Sequence, residues 1–217
     1  MENESTHDVA ALRREYSSRT LRREDLLPEP VAQFRLWFGE ARTAQLLEPN
    51  AMTLATSDAA GFVTARTVLL KAYDEKGFVF FTNYGSTKAR QIAENPRVAL
   101  LFAWLPLERQ VSISGTAEKI SHAESLAYFM SRPVGSRIGA WVSEQSRVVS
   151  SRAVLEAKFR EVCDKFREGK VPLPEFWGGY RVVPDRVEFW QGGANRLHDR
   201  FQYIREAKGW SIRRLQP

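Results

Sequence analysis

Two arginines, a histidine, an aspartate and a tryptophan crowd around a Gly-Gly pair in the stretch Val187-Glu188-Phe189-Trp190-Gln191-Gly192-Gly193-Ala194-Asn195-Arg196-Leu197-His198-Asp199-Arg200-Phe201. Read as extended chain, Arg196 and His198 point to one face, because side chains on a strand alternate with period two. A fixed guanidinium beside a titratable imidazole suits an anionic or polar aromatic ligand. An exposed hairpin with solvated charges is the plainer reading of any one of these residues.

Other groups could share such chemistry. In Thr82-Asn83-Tyr84-Gly85-Ser86-Thr87-Lys88, Ser86 is a helix N-cap that leaves backbone N–H groups and the positive dipole end for an anion, with Lys88 beside them. Arg66 and Lys71, in Arg66-Thr67-Val68-Leu69-Leu70-Lys71, have opposite parity on a regular strand. They should then serve different ligands, or different parts of one site, unless a bulge intervenes. Tyr128, Arg132 and Ser136 are spaced by four. Tyr128 and Arg132 can share a helix face, and Pro133 should end that helix so that Ser136 starts the next. A phenol, a guanidinium and a hydroxyl together make a monophosphate clamp. Gln110 on a strand and Gln145-Ser146 after a helix could hydrogen-bond a heterocycle or a sugar-phosphate tail. Each set, alone, also describes a capped helix or a polar surface.

The elements that must position these groups follow from periodicity and punctuation. Residues 1–28 are polar and charged and read as a flexible arm; residues 29–217 read as one domain. Phe34, Trp37, Phe38 and Ala41 at helical spacing predict an amphipathic helix over 31–47. Strands are expected at 52–56, 62–73, 78–82, 98–104 and 109–118, joined in part by Gly-containing turns. A short helix falls at 86–94 and further helices at 123–131, 136–142 and 152–167; in the last, Leu155, Phe159, Val162 and Phe166 form an apolar stripe expected to pack on the core. The chain closes with strands at 180–183, 186–191, 199–205 and 210–214. The class is mainly β with peripheral helices (α+β), an antiparallel meander able to close on itself, without parallel βαβ alternation.

Composition narrows the function. At 217 residues, 43% hydrophobic and 27% charged, the chain can bury a real core. The single cysteine, Cys163, excludes an internal disulfide framework and suits a reducing cytoplasm; its apolar surroundings suggest a buried structural thiol. Only His7, His122 and His198 are present, without a Cys or His companion at ligand spacing, so no metal site is expected. No apolar run is long enough to cross a bilayer, and residues 1–4 lack the pattern of a signal peptide. The net charge of +6 comes without a nucleic-acid signature and points instead to small phosphorylated ligands.

The stretch Glu188-Phe189-Trp190-Gln191, four residues, then Arg196-Leu197-His198-Asp199-Arg200 resembles the signature of the pyridoxine/pyridoxamine 5′-phosphate oxidases. The resemblance extends in order and spacing through Leu12 to Tyr16, Arg66 to Lys71, Asn95 to Val98, Leu107 to Val111, Ser131 to Pro133, Gly139 to Ser143 and Phe176 to Arg181, and so over nearly the whole chain. It implies an FMN-binding split β-barrel, cytoplasmic and homodimeric, with sites built at the subunit interface. The implied reaction converts pyridoxine 5′-phosphate and pyridoxamine 5′-phosphate to pyridoxal 5′-phosphate, with O2 as acceptor, hydrogen peroxide released, and ammonia released from the amine. FMN would be held by Arg66, Thr67, Val68, Leu69, Leu70, Lys71, Phe81, Thr82, Thr87, Lys88, Gln110, Gln145, Ser146, Trp190 and Arg200. Substrate would be held by Lys71, Tyr128, Arg132, Ser136, Arg196, Leu197 and His198, with Arg196 and His198 nearest the chemistry, and a weaker product contact would fall on Arg13, Arg14, Glu15 and Tyr16. Where the family often has arginine before the lysine, this chain has Thr87, which predicts weaker FMN retention. The alternatives are a split-barrel flavin reductase or FMN carrier, and a non-enzymatic basic module that binds nucleic acid or stores pyridoxal phosphate.

Overall fold

A computed structural model describes residues 12, 15, 16, 19–167 and 169–217. Arg13 and Arg14 lie outside the described residues. Five helices, α1 (Pro30–Thr43), α2 (Thr87–Glu94), α3 (His122–Ser131), α4 (Val134–Val142) and α5 (Arg152–Lys165), surround one sheet. Its strands are β1 (Ala51–Ser57), β2 (Val63–Leu69), β3 (Ala72–Asp74), β4 (Gly77–Asn83), β5 (Arg97–Trp104), β6 (Arg109–Lys119), β7 (Trp177–Gln191), β8 (Asp199–Glu206) and β9 (Gly209–Leu215). Every pairing is antiparallel, in the order β2-β1-β5-β6-β7-β4-β3, with β8 and β9 continuing from β7. The sheet curls into a split β-barrel. Among the described residues no helix is long and apolar enough to cross a membrane.

Alternation fills the interior. Met52, Leu54 and Thr56 of β1 are buried, as are Val98, Leu100, Phe102 and Trp104 of β5, as expected when one sheet face meets a core. The helix α1 starts with Pro30 at its first position, where a missing N–H costs nothing. It buries Phe34, Trp37 and Ala41. Phe34 meets Phe78 edge-on at 4.9 Å and Phe102 at 5.0 Å. Phe34→Ala should cost about 3–5 kcal/mol of stability, read as a lower denaturant midpoint; an unchanged midpoint would remove Phe34 from the core. Trp37 carries the guanidinium of Arg109 at 4.2 Å over its ring, and Arg109 pairs with Glu40 at 2.6 Å. Residues of the N-terminal segment join this core: Leu21 and Leu26 are buried, and the Leu21 N–H donates to Asp199.

Four sequence expectations change. The single strand expected over 62–73 is two, because residues 70–71 carry the chain from one edge of the sheet to the other: the Leu70 N–H bonds to Asn50 on the β1 side and the Lys71 N–H to Val79 of β4. The strands expected at 180–183 and 186–191 are one 15-residue β7, which absorbs Pro184 at an irregularity opposite Ser114 and Gly115. The helix α4 begins at Val134, with Ser136 inside it rather than at its start. The α5 stripe is only partly core: Val162 is buried and Phe166 packs beneath it, but Leu155 and Phe159 are 40% and 39% exposed. The nine-residue α4 that packs against the fourteen-residue α5 is too short to cover its whole stripe. Cys163 is half-buried against the same small helical cluster.

Candidate active site

Between the β2 and β4 strands and helices α3 and α4 lies a cleft of about 730 Å³. It is lined by Arg66, Lys71, Lys88 and Arg132, and by no carboxylate among the described residues. Four cations in one depression, without a local acid, repel one another unless an anion enters. Each is held by its element. Arg66 donates from Nη1 to the Leu54 carbonyl at 3.0 Å and to Thr56 Oγ1 at 2.6 Å, and from Nη2 to Thr64. Lys88, in the first turn of α2 behind the Ser86 cap, is buried and donates to Gln145 Oε1 at 2.9 Å and Thr82 Oγ1 at 3.3 Å. Burial first, and then the Arg66 charge, push the Lys88 ammonium down to about 8. Burial likewise lowers Arg66 and Arg132.

The opposite facings expected of Arg66 and Lys71 are not what the fold produces. Both line this cleft, because the strand ends at Leu69 and parity is lost across the crossover. Leu70 turns into the core, while Thr67, Val68 and Leu69 form part of the wall.

The far wall is aromatic. Phe81 stacks on Tyr128 with centroids 3.9 Å apart and on Trp177 at 5.3 Å. Arg132, at the end of α3, lies 4.7 Å over the Trp177 ring, and its Nη1 is buried without a partner. A guanidinium on the wall of a cationic cleft, with one nitrogen lacking a hydrogen-bond partner, suits an acceptor from outside the chain. Tyr128, Arg132 and Ser136 come together here, with Ser136 exposed at the rim. Thr87 and Ser146 flank the cleft rather than line it: the Thr87 N–H donates to Ser146 Oγ at 3.3 Å. The Thr87 hydroxyl accepts from Arg90, which also donates to the Gly85 carbonyl at 2.6 Å, so this turn carries a guanidinium despite the threonine.

A second set stands elsewhere. Gln110, Trp190 and Arg200 are direct neighbours across β6, β7 and β8 and line a separate cavity of about 250 Å³ with Ser112, Glu188 and Pro217. Arg200 donates from Nε to Glu188 at 2.8 Å, and this bond raises its pKa further. Beside it, His198 lies 4.6 Å from Trp190, and Tyr16 approaches both rings edge-on, at 5.8 Å from Trp190 and 5.7 Å from His198. Residues 194–196 are not strand but a tight 3-10 turn with Asn195 and Arg196 in left-handed backbone, so Arg196 and His198 share a loop rather than a strand face. Arg196 and Leu197 are exposed, and Glu15 is exposed in the arm. Burial, then the Arg196 and Arg200 charges, lower the His198 pKa.

Trp177 and Trp190 stand at opposite ends of β7, about 40 Å apart along an extended chain at ~3.3 Å per residue. The two cavities share no lining residue. Asn83 and Trp177 also line the first cleft. Both were visible only as members of longer stretches, Thr82 to Lys88 and Phe176 to Arg181, and carried no signal of their own.

Comparison with known proteins meets this geometry. The family model described as pyridoxamine 5′-phosphate oxidase matches residues 38–166, and that of the pyridoxine 5′-phosphate oxidase C-terminal dimerisation region matches residues 177–217. The pyridoxine/pyridoxamine 5′-phosphate oxidase of Rippkaea orientalis is 61% identical over 211 residues, which cover 97% of this chain and 100% of that protein. The protein of the same name from Salmonella paratyphi B is 54% identical over 216 residues, 100% of this chain and 99% of its own. Among solved structures, PhzG from Burkholderia lata, in complex with tetrahydrophenazine-1-carboxylic acid, superposes with a TM-score of 0.87 at 29% identity, covering 93% of this chain and 100% of its own. A pyridoxamine 5′-phosphate oxidase-related FMN-binding protein from Nostoc punctiforme shares the fold with a TM-score of 0.69 at 18% identity, over 88% of this chain and 99% of its own.

Proposed function

This chain belongs to the pyridoxine/pyridoxamine 5′-phosphate oxidase family, and we infer from that membership and from the two half-sites how it works. It is an enzyme that oxidises pyridoxine 5′-phosphate and pyridoxamine 5′-phosphate to pyridoxal 5′-phosphate. The observation that carries the reading is the acid-free cleft in which Lys88 and Arg66 share space with Arg132, whose Nη1 has no hydrogen-bond partner.

The cleft fits FMN: it offers cations for a phosphate, Gln145 and Thr82 for polar edges, and the apolar Val68 and Leu69 of β2. FMN, when bound, supplies the hydride acceptor and passes electrons to O2, which releases hydrogen peroxide. The chain's part is to bind and orient. Tyr128, Arg132 and Ser136 would hold the substrate phosphate, and Lys71 would serve both substrate and cofactor. Arg196 covers the substrate from the other side and His198 anchors it. Gln110, Trp190 and Arg200 complete the cofactor's surroundings. Because these last residues sit far along β7 from the cleft, two copies must pair to complete one site; the dimerisation region matched at 177–217 contains Trp190, Arg196, His198 and Arg200. The homodimer therefore holds two such sites.

The single test is a purified protein that is yellow with a flavin spectrum and releases peroxide with pyridoxine 5′-phosphate. Turnover with a nicotinamide donor instead would favour a reductase.

Lys88 makes cofactor binding pH-dependent. In the free cleft its ammonium loses a proton near 8 rather than at the usual value above 10. A bound phosphate favours the charged form, so binding takes up a proton at pH above about 8. FMN affinity should then fall by up to about tenfold per pH unit above that point, measured by flavin fluorescence quenching. The slope should vanish in Lys88→Met, whose affinity is lower at neutral pH; a slope that survives the substitution assigns it to another group.

A further inference from the structure

The turn between β7 and β8 is closed by a hydrogen bond from the Gly193 N–H to Nδ1 of His198, at 3.1 Å. A second, from the His198 N–H to the Arg196 carbonyl at 3.0 Å, draws the same loop together. Inside it Asn195 and Arg196 take φ of 54° and 64°, left-handed backbone that asparagine tolerates but that an arginine adopts only when its surroundings compel it. Gly193 is required where it stands, since a Cβ there would lie 2.3 Å from the Leu197 carbonyl oxygen.

A backbone N–H is a permanent donor, so the imidazole nitrogen that meets it must accept. From this geometry we propose that Gly193 holds His198 as the neutral Nε2–H tautomer, so that His198 meets the substrate as a hydrogen-bond donor and is not the base that takes its proton. The proposal rests on the reading of this loop as the substrate-facing half of the site. With Nδ1 engaged, the ring has only Nε2–H to offer. Its complement is an acceptor on the ligand, such as an oxygen substituent of a phosphorylated pyridine.

The surroundings agree. Trp190 and Tyr16 present ring faces and edges to the imidazole, and among the described residues the charges that act on it are the cations of Arg196 and Arg200. The adjoining carboxylates are engaged elsewhere: Asp199 with the Leu21 N–H and Arg214, Glu188 with Arg200. Burial and the two arginines together disfavour the imidazolium. Protonation would set a second N–H against that of Gly193 and open the turn, carrying Arg196 with it. Substrate capture should therefore fall on the acid side, through a pKa below the ordinary imidazole value.

The test uses the full-length, flavin-loaded protein labelled with nitrogen-15 histidine. There are only three histidines, and comparison with His198→Asn identifies the signals of His198. At neutral pH, the expected result is a proton on Nε2 and none on Nδ1. A proton on Nδ1, or on both nitrogens, overturns the proposal. The pH profile of kcat/KM for pyridoxine 5′-phosphate gives the second readout. The asparagine amide oxygen can still accept from Gly193, but the Nε2–H donor is lost. His198→Asn should then be about tenfold slower at neutral pH and lack the acid limb of the parent. A parent rate, or an unchanged acid limb, in that variant also overturns it. A protein without oxidase activity would instead sink the reading of the site, while the nitrogen spectrum still decides the tautomer.

Discussion

Arg196→Ala lowers kcat/KM for pyridoxine 5′-phosphate by about two to three orders of magnitude and leaves the flavin spectrum in place: this is the expected result if the β7–β8 loop faces the substrate. The size follows from orientation. A guanidinium that holds a flat substrate in reacting position contributes where geometry is most demanding, and a displacement of about 1 Å can cost a hundredfold. Arg196 is well placed for such a task and poorly placed for a structural one. It is exposed, its backbone is left-handed, and its side chain is not among those burying the core. Its removal should leave the thermal midpoint unchanged, because alanine keeps the Cβ and with it the same backbone strain. Arg196→Lys should recover only part of the loss, since an ammonium lacks the planar fork. Unchanged turnover in Arg196→Ala would exclude the loop from the site.

Arg132→Ala should raise KM for the phosphorylated substrate by about a hundredfold, the lower part of what truncating one partner of a desolvated ion pair costs. The buried, unpartnered Nη1 is the reason for expecting so much. In the free protein, burial already disfavours the charge, so a phosphate that relieves this gains more than it would from a solvated arginine. The control is the same alcohol without its phosphate, whose slow oxidation should be indifferent to the substitution. Tyr128 and Ser136 remain, and the stacked wall of Phe81, Tyr128 and Trp177 does not need the guanidinium to stand. An unchanged KM would assign the phosphate to Lys71 or to another cation of the cleft.

Much of the scaffold was legible. The α1 face built on Phe34, Trp37 and Ala41, the Ser86 cap, and the alternation of β1, β5 and β6 are local patterns, and local patterns survive folding when burial on one face rewards them. The two errors of facing have a common form. Period-two parity across Arg66 to Lys71 assumed an unbroken strand, but the chain leaves one sheet edge for the other at residues 70–71. The facing of Arg196 and His198 likewise assumed a strand where a 3-10 turn intervenes. The first break has no glycine or proline at residues 70–71 to announce it; the second follows Gly192-Gly193, which mark a turn without telling where the strand resumes.

By itself the sequence determined the residue types of the site and the capped, alternating elements that carry them. It also carried the family resemblance, on motifs spread from Leu12 to the C-terminus. Only the tertiary structure decided their grouping. Arg66, Lys71, Lys88 and Arg132 meet in one acid-free cleft, whereas Trp190, Arg196, His198 and Arg200 gather at the other end of β7. The reason is physical: spacing along a chain reports facing only within one regular element, and which elements lie side by side is set by how the sheet curls and buries its inner face.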